Sequence, residues 1–433
     1  MTTFLKKLPI ITTFGSVFST TTFKQTSITF SGTIINGLLG ALFYILTARF
    51  LGPAAFGLMS VAVTTLTLVA DIGDLGSNTG IVNFIPRYLN EDKTKALRFL
   101  KLGLEVKLFV ALTVFILGWF LSPYISSEIL LKPELSVPLK IVFSGVGFSL
   151  LFSFIISTLQ AFQRFWSWSI LQIATNSLRV ILVLSLIYLG SFTLNNNLLI
   201  YIVVPFIGFT AGLLLIPRQF LSVTSEKDVA KEFFKYNKWV ALFTIIAAIG
   251  ARIDTYISAR LLTSTQLGFY SASLQLVQVV PQIVVSIHTV VAPKMASMGK
   301  IEELVKYIKK TQIMVLGLAG LGLLSIPLVI LLIPILYGPE YVPTIPIFVV
   351  HLFAMLVFLI SVPVHMAIFY YFSYPKLFFW LSFVQLILVS SLSFFLIPEI
   401  GVIGAALAVL VGQVFNFTVP LIWLLKRINQ FNN

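Results

Sequence analysis

The chain contains no cysteine, which excludes disulfides, thiol catalysis and thiolate metal sites. Histidine is nearly as scarce. His288, His351 and His365 stand far apart in apolar text, with no HxxxH or HExxH spacing, so no imidazole metal site is written here. Charge is the third shortage: Asp, Glu, Lys and Arg make up 10% of the 433 residues, whereas hydrophobic residues make up 58% and the mean hydropathy is +1.01. A soluble domain carries charge at roughly a quarter of its positions. Long polar loops are also lacking, and nothing outside the apolar stretches is large enough for a soluble domain. The composition is that of an integral membrane protein. A spanning β-barrel is excluded because the apolar runs are continuous rather than alternating.

What charge there is leans basic, with 29 Lys and Arg against 15 Asp and Glu. In a membrane protein that excess belongs on cytoplasmic loops, so no nucleic-acid partner is expected. Helices need about 20 apolar residues to cross a bilayer. Twelve such stretches are predicted, at 28–50, 55–80, 103–124, 138–160, 165–190, 198–217, 236–261, 267–291, 311–336, 344–370, 376–397 and 401–425. Alternate loops carry Arg87, Lys95, Arg98, Arg218, Lys231, Lys294, Lys306 and their neighbours, whereas the opposite loops carry only Arg49, Lys132, Lys140 and Arg260. The split, about 22 to about four, places both termini in the cytoplasm under the positive-inside rule. Lys6 and Lys7 with adjoining apolar text imitate a signal peptide, but no A-x-A-like cleavage site follows. The expected organisation is a cytoplasmic lead-in at 1–27, an N-terminal lobe at 28–217, a cytoplasmic linker at 218–235, a C-terminal lobe at 236–425 and a cytoplasmic tail at 426–433. Segments 87–102, 218–235 and 294–310 are expected as short amphipathic helices at headgroup level.

One phrase is written twice. Ala48–Ser60 reads ARFLGPAAFGLMS, and about 211 residues later Ala259–Ser271 reads ARLLTSTQLGFYS. Arg49, Gly57 and Ser60 match Arg260, Gly268 and Ser271. Each copy ends one span and begins the next, so spans one and two correspond to seven and eight. Six spans separate the copies, an even number, which makes the repeat parallel. The predicted fold is an all-α integral membrane protein with about 12 transmembrane helices in two six-helix lobes related by a parallel pseudo-two-fold repeat. Transporters built from such repeats place their site at the repeat interface.

Polarity repeats as well. Ser60, Thr64, Thr67 and Asp71 fall at i, i+4, i+7 and i+11; Ser271, Gln275, Gln278 and Gln282 do the same in the second copy. Each set lies on one helix face. Asp74 and Asn78 extend the first. Polar groups in a bilayer must face protein or water, so the stripes line either a water-filled cavity or ordinary helix–helix contacts. Arg252, Tyr256 and Arg260 share a further face, and with Arg49 they offer guanidinium groups suited to phosphate. Arg49 and Arg260 also sit at helix ends, where an anchoring role competes. Asp254 either neutralises an arginine or joins Asp71 and Asp74 as a coupling-ion candidate. Glu105 and Lys107 are explained by snorkelling near the start of span three. Gln172, Asn176 and Arg179 share a face of span five, as lining or as glue, and the histidines are expected as packed groups.

The phrase ARFLGPAAFGLMSVAVTTLTLVADIGDLG resembles the opening of prokaryotic polysaccharide flippases of the Wzx-like type, within the multidrug/oligosaccharidyl-lipid/polysaccharide exporter superfamily. RIDTYISARLLTSTQLGFYSASLQLVQVVPQ resembles the start of that family's second lobe, and LQAFQRF and IPEIGVIGAALAVLVGQ are similar to further family segments. The resemblance implies two lobes in a V, alternating access, and a polyprenyl-linked oligosaccharide carried from the cytoplasmic to the outer leaflet. Arg49, Arg252 and Arg260 would hold the pyrophosphate, and Thr64, Thr67, Gln275, Gln278 and Gln282 the sugar. Implied partners are the lipid-linked substrate, membrane lipids and a polysaccharide polymerase or glycosyltransferases of the same pathway. No cofactor is expected, and the coupling ion, H+ or Na+, is open. Lipid II flippases of this superfamily usually carry two spans beyond the twelfth, and Asn433 follows the twelfth directly, which argues against lipid II. A multidrug or cation antiporter, or a membrane-embedded glycan-processing enzyme, are the alternatives.

Overall fold

A computed structural model of the chain describes residues 21–432 except Ser225, with side chains omitted for 21–27 and 431–432. Most of the expected lead-in, including Lys6 and Lys7, lies outside the described residues. Those described form fifteen α-helices joined by short turns, and no strand.

The first helix, α1, runs Thr21–Gly73 but is not one rod. Gly52 takes φ 73 and ψ 168 inside it. Pro53 explains the break: it has no N–H for the Arg49 carbonyl, and its ring crowds that turn. Glycine accepts the positive φ that a side chain resists. The apolar part, Ile28–Gly73, is 46 residues, about 69 Å at 1.5 Å per residue and more than twice the hydrocarbon thickness. It is therefore two spans. Among the described residues ten helices are long and apolar enough to cross a membrane, or eleven when the bent pair Ile301–Leu324 and Ile326–Leu336, at 48°, is one span. With α1 counted as two spans, the twelve expected from the sequence result.

The other helices are α2 Ser77–Tyr88, α3 Lys93–Tyr124, α4 Ser136–Ala161, α5 Phe165–Tyr188, α6 Leu194–Gly212, α7 Lys227–Gly250, α8 Ile253–Leu261, α9 Ser264–Val277, α10 Val279–Ala296, α11 Ile301–Leu324, α12 Ile326–Leu336, α13 Thr344–Met366, α14 Lys376–Ile400 and α15 Val402–Asn432. The polar segments expected as separate surface helices are instead extensions of spans: Lys93, Lys227 and Ile301 begin the helices that continue as α3, α7 and α11. For α3 and α7 the reason lies in the first unit's packing. Phe233 of α7 buries against Phe84 and Phe99, whose rings stack at 4.4 Å. Glu232 pairs with Lys95 at 3.0 Å and accepts from the Tyr88 hydroxyl at 2.8 Å, and Glu226 pairs with Arg98.

The chain folds into two compact units. The first comprises residues up to Tyr44, Val69–Leu121 and Leu139–Ile245; the second comprises Ile45–Leu68, Ser122–Pro138 and Ile246 onward. Two short pieces of the N-terminal half therefore fold with the C-terminal half. The first unit's core includes Ile81, Ile85, Leu100, Phe154, Ile155 and Phe220. In the second, Ile257, Tyr270, Ile347, Ile397, Ala405 and Ala406 pack together. Large apolar side chains also face outward, among them Phe109, Phe120, Phe243 and Leu324. Soluble monomers rarely expose such continuous apolar surface, so these faces belong against lipid.

Candidate functional site

The duplicated phrase forms a corner between helices, and both copies lie in the second unit. Its two copies pack against each other. A Cβ added at Gly57 would stand 2.4 Å from the Ser264 carbonyl oxygen and 2.7 Å from the Gly268 nitrogen; one added at Gly268 would stand 2.0 Å from the Pro53 carbonyl oxygen. Only glycine permits this backbone approach, which is why the phrase repeats its glycine.

The two arginines of the phrase act crosswise. Arg49 Nη1 donates to the carbonyls of Ile335 and Leu336, in the last turn of α12. Arg260 Nη1 donates at 3.0 Å to the carbonyl of Glu128 and also to that of Ile129, at the end of the π-turn that follows α3. Such terminal carbonyls have no intrahelical donor and carry the negative end of the helix dipole. A cation there satisfies both. The corner is closed by further bonds: Tyr341 OH donates to the Ala48 carbonyl at 2.9 Å, Lys132 Nζ to the Leu262 carbonyl at 2.6 Å, and Ser264 Oγ to Glu134 Oε1 at 2.9 Å. Burial pushes the Lys132 ammonium below the ordinary lysine pKa, and the Glu134 carboxylate offsets part of that.

The first polar stripe is continuous as far as Asp71. Thr64 and Thr67 are half-buried on α1, with Thr67 Oγ1 donating to the Thr64 carbonyl at 3.0 Å. Thr65 is fully engaged: it donates to the Val61 carbonyl at 2.9 Å and accepts from Tyr256 OH at 3.1 Å. Asp71 is exposed. Asp74 falls beyond the end of α1 and does not extend the stripe. The second stripe crosses a one-residue break between helices. Helix α9 ends at Val277 and α10 starts at Val279, because Pro281 offers no N–H to the Val277 carbonyl. Gln275 is half-buried before the break, while Gln278 and Gln282 are exposed at and after it. Gln278 itself keeps helical dihedrals, φ −61 and ψ −17, and Ser264–Ala296 remains one span.

Lys107 corrects the sequence-based expectation. It does not snorkel: its side chain is 0% exposed, and its Nζ lies 2.5 Å from Asp74 Oδ1 and donates to Ser153 Oγ at 3.0 Å. Asp74 also accepts from Ser77 Oγ at 3.0 Å and from the Asn78 N–H at 3.1 Å, which caps the start of α2. A lysine–carboxylate pair held inside the first unit is thus one polar centre. The second unit holds another. Arg252 sits at the break between α7 and α8, with φ −134, and its Nη1 donates to the Ala248 carbonyl at 3.2 Å. Asp254 is in no ion pair among the described residues; its Oδ2 accepts from Tyr270 OH at 2.5 Å. Tyr256 and Arg260 stand on the helix that Arg252 opens, with the Tyr256 N–H donating to the Arg252 carbonyl at 3.3 Å. His351 is buried and bonded through Nδ1 to Ser273 Oγ at 2.7 Å, a packed group.

A family described as "Polysaccharide biosynthesis protein" matches residues 22–299, well over half of the chain. The chain belongs to that family. No curated protein matches it at a significant level. Among solved structures it is similar to an inward-facing multidrug-resistance MATE transporter of the MOP superfamily, with TM-score 0.73, 14% identity, and coverage of 92% of this chain and 95% of that one. It is similar to the lipid II flippase MurJ in an inward closed conformation, with TM-score 0.73, 16% identity and coverage of 93% and 87%. A MOP-superfamily transporter from Pyrococcus furiosus, described as having a binding pocket of reversed polarity, matches with TM-score 0.60, 14% identity and coverage of 95% and 96%. At such identities the likeness is one of fold, and that fold is the two-lobed architecture of this superfamily.

In this member of the family, sequence reasoning named Lys107 but set it aside as snorkelling, and it missed Thr65. Lys107 had a usable signal: it lies fourteen residues into α3, about 21 Å along the helix, with apolar residues on either side. Thr65 had none, since its neighbours Thr64 and Thr67 carry the stripe.

Proposed function

We propose that the protein is a flippase that moves a polyprenyl-(pyro)phosphate-linked oligosaccharide from the cytoplasmic to the outer leaflet by alternating access, for assembly of cell-surface polysaccharide. The observation that carries this is the family match over residues 22–299, on a fold shared with a lipid II flippase. The physical demands agree. A lipid-linked sugar needs a route that is wet for its head, with the tail left in the bilayer. Intramembrane cations suit a phosphorylated head, and hydroxyl and amide groups suit a glycan. Arg252 is the first candidate for the pyrophosphate; Arg49 and Arg260 hold helix ends in this conformation and are second. Thr64, Thr67, Gln275, Gln278 and Gln282 are assigned to the sugar. Asp71, Asp74 and Asp254 are assigned to coupling by H+ or Na+. The halves 28–217 and 236–425, joined by the linker 218–235, are the moving bodies, with 45–68 and 122–138 belonging to the second and 236–245 to the first.

On this reading the protein is a transporter without catalytic residues, sits in the cytoplasmic (inner) membrane with both termini inside, and works beside polymerases or glycosyltransferases of the same pathway. The likeness to MATE transporters, with an exposed intramembrane carboxylate at Asp71, supports a second reading, a cation antiporter. Proteoliposomes separate the two. Flipping of a fluorescent polyprenyl-diphosphate oligosaccharide is expected, with a loss of about tenfold or more in Arg252→Ala if the guanidinium stabilises the head by more than 1.4 kcal/mol. Proton-coupled efflux of a cationic dye, without flipping of any lipid-linked glycan, would replace the flippase with the antiporter.

A further inference from the structure

Arg179 is the intramembrane cation that the preceding assignments leave unused. It lies fourteen residues from the start of α5 and nine from its end, about 21 and 14 Å along the axis. Both distances exceed the reach of a snorkelling side chain. An arginine this deep needs a compensating partner. Among the described residues none of the ion pairs includes it: they are Lys95–Glu232, Arg98–Glu226, Lys101–Glu105 and Lys107–Asp74.

Its surroundings are neutral and ordered. Arg179 Nη1 donates to Asn176 Oδ1 at 2.8 Å, and that amide donates in turn to Asn36 Oδ1. The guanidinium lies 4.4 Å from the Tyr201 ring centre and 5.6 Å from that of Phe43, a stacking arrangement that fixes its plane. Two donors of this cluster are buried without an acceptor: Arg179 Nε and Gln172 Nε2. Gln172, Asn176 and Arg179 stand at i, i+4 and i+7, on one face of α5. All these residues belong to the first unit.

An oriented cation without a carboxylate, beside two unfilled buried donors, wants an anionic oxygen acceptor. A cationic ligand is repelled, and a neutral sugar leaves the charge uncompensated. We propose that this cluster is a phosphoryl-anion subsite inside the first unit, with the Arg179 fork and the Gln172 amide donating to phosphate oxygens and Tyr201 holding the guanidinium in plane. The proposal rests on the flippase reading for its biological ligand, the diphosphate of a lipid-linked glycan. The chemistry itself is shared by free diphosphate and by phospholipid heads.

The test is equilibrium binding to the full chain in detergent, with farnesyl diphosphate, inorganic pyrophosphate and phosphatidylglycerol as separate probes. Farnesyl diphosphate is expected to bind, with affinity falling about tenfold in Arg179→Gln and about threefold in Gln172→Leu. Arg179→Lys, which keeps the charge but not the fork, is expected between them. Tight binding of farnesyl diphosphate with weak phosphatidylglycerol identifies a lipid-linked diphosphate as the ligand; equal binding of pyrophosphate assigns the site to the free anion, and equal binding of phosphatidylglycerol to lipid heads. If Arg179→Gln fails to fold, Gln172→Leu and thiol protection remain. The chain has no native cysteine, so Asn36→Cys carries a single thiol whose labelling the diphosphate should slow. Wild-type affinity in both substituted proteins, or unprotected labelling at position 36, overturns the subsite. Binding without any flipping would overturn the flippase reading and leave the subsite standing; flipping with wild-type affinity in Arg179→Gln would do the reverse.

Discussion

In the first copy of the repeat the chain turns through Gly52, at φ 73, and Pro53. In the second it turns through Leu262 in extended conformation and Thr263, whose hydroxyl accepts from the Gln266 N–H at 3.2 Å while Gln266 Oε1 accepts from the Thr263 N–H at 3.1 Å. One corner is made by removing a donor, the other by supplying a capping box. Both then present the same two devices, an arginine that satisfies terminal carbonyls and a glycine that permits backbone contact. Away from the corners the copies diverge. At the repeat offset, Asp74 corresponds to Val285, Arg252 to Ala41 and Asp254 to Phe43. The corner is preserved because both copies build one contact. Each unit carries its own polar centre, Lys107 with Asp74 in the first and Asp254 with Tyr270 in the second.

The interior difference offers the largest expected effect. Lys107→Met leaves the half-buried Asp74 carboxylate without its cation and opens space where the fully buried ammonium stood, at a cost of about 3 kcal/mol. Adding Asp74→Asn should recover most of that, read as melting temperature and monodisperse yield in detergent. A single substitution as stable as the wild type would show that the pair is not a structural centre of the first half.

Next come the glycines. Gly268→Ala drives a methyl into the Pro53 carbonyl, and Gly57→Ala into that of Ser264. Backbone cannot rotate away, so each should cost about 1–3 kcal/mol, with Gly268→Ala the worse. Gly37→Ala, which meets nothing within 4 Å, serves as the control and should be neutral or stabilising by up to about 1 kcal/mol. Equal melting temperatures for all three would remove the corner contact.

The arginines follow. Arg49→Ala and Arg260→Ala each uncover terminal carbonyls and should cost about 1 kcal/mol. Arg260 is the less exposed of the two, so its loss should be the larger; the reverse order in thermal melts would break the equivalence of the caps. Smallest is the turn chemistry. Thr263→Ala removes one half of the capping box, at about 1 kcal/mol or less, whereas the first copy has no side chain whose removal is comparable. Hydrogen exchange at the start of α9 is the sensitive measure, and unchanged protection there would show the box to be incidental.

The spans and the repeat were legible in the sequence because both are local: apolar length and a matching phrase need no knowledge of partners. The break at Gln278 was legible too, since Pro281 announces it. The arginine caps were not legible. Arg49 meets a carbonyl 286 residues away and Arg260 one 131 residues away, and a backbone carbonyl leaves no mark on the side-chain text. The pairing of Lys107 with Asp74 was half legible. The depth of the lysine could be counted, but its carboxylate lay in another helix.

Gly57 and Gly268 are equivalent positions that touch one another. A contact between equivalent positions lies on the axis that relates them, and it is self-complementary in the way that a two-fold dimer interface is. One chain of half the length, paired with its own copy, would make the same contact from a single glycine. In the present chain that one position is written twice, so whether a change at Gly57 is tolerated depends on what stands opposite it.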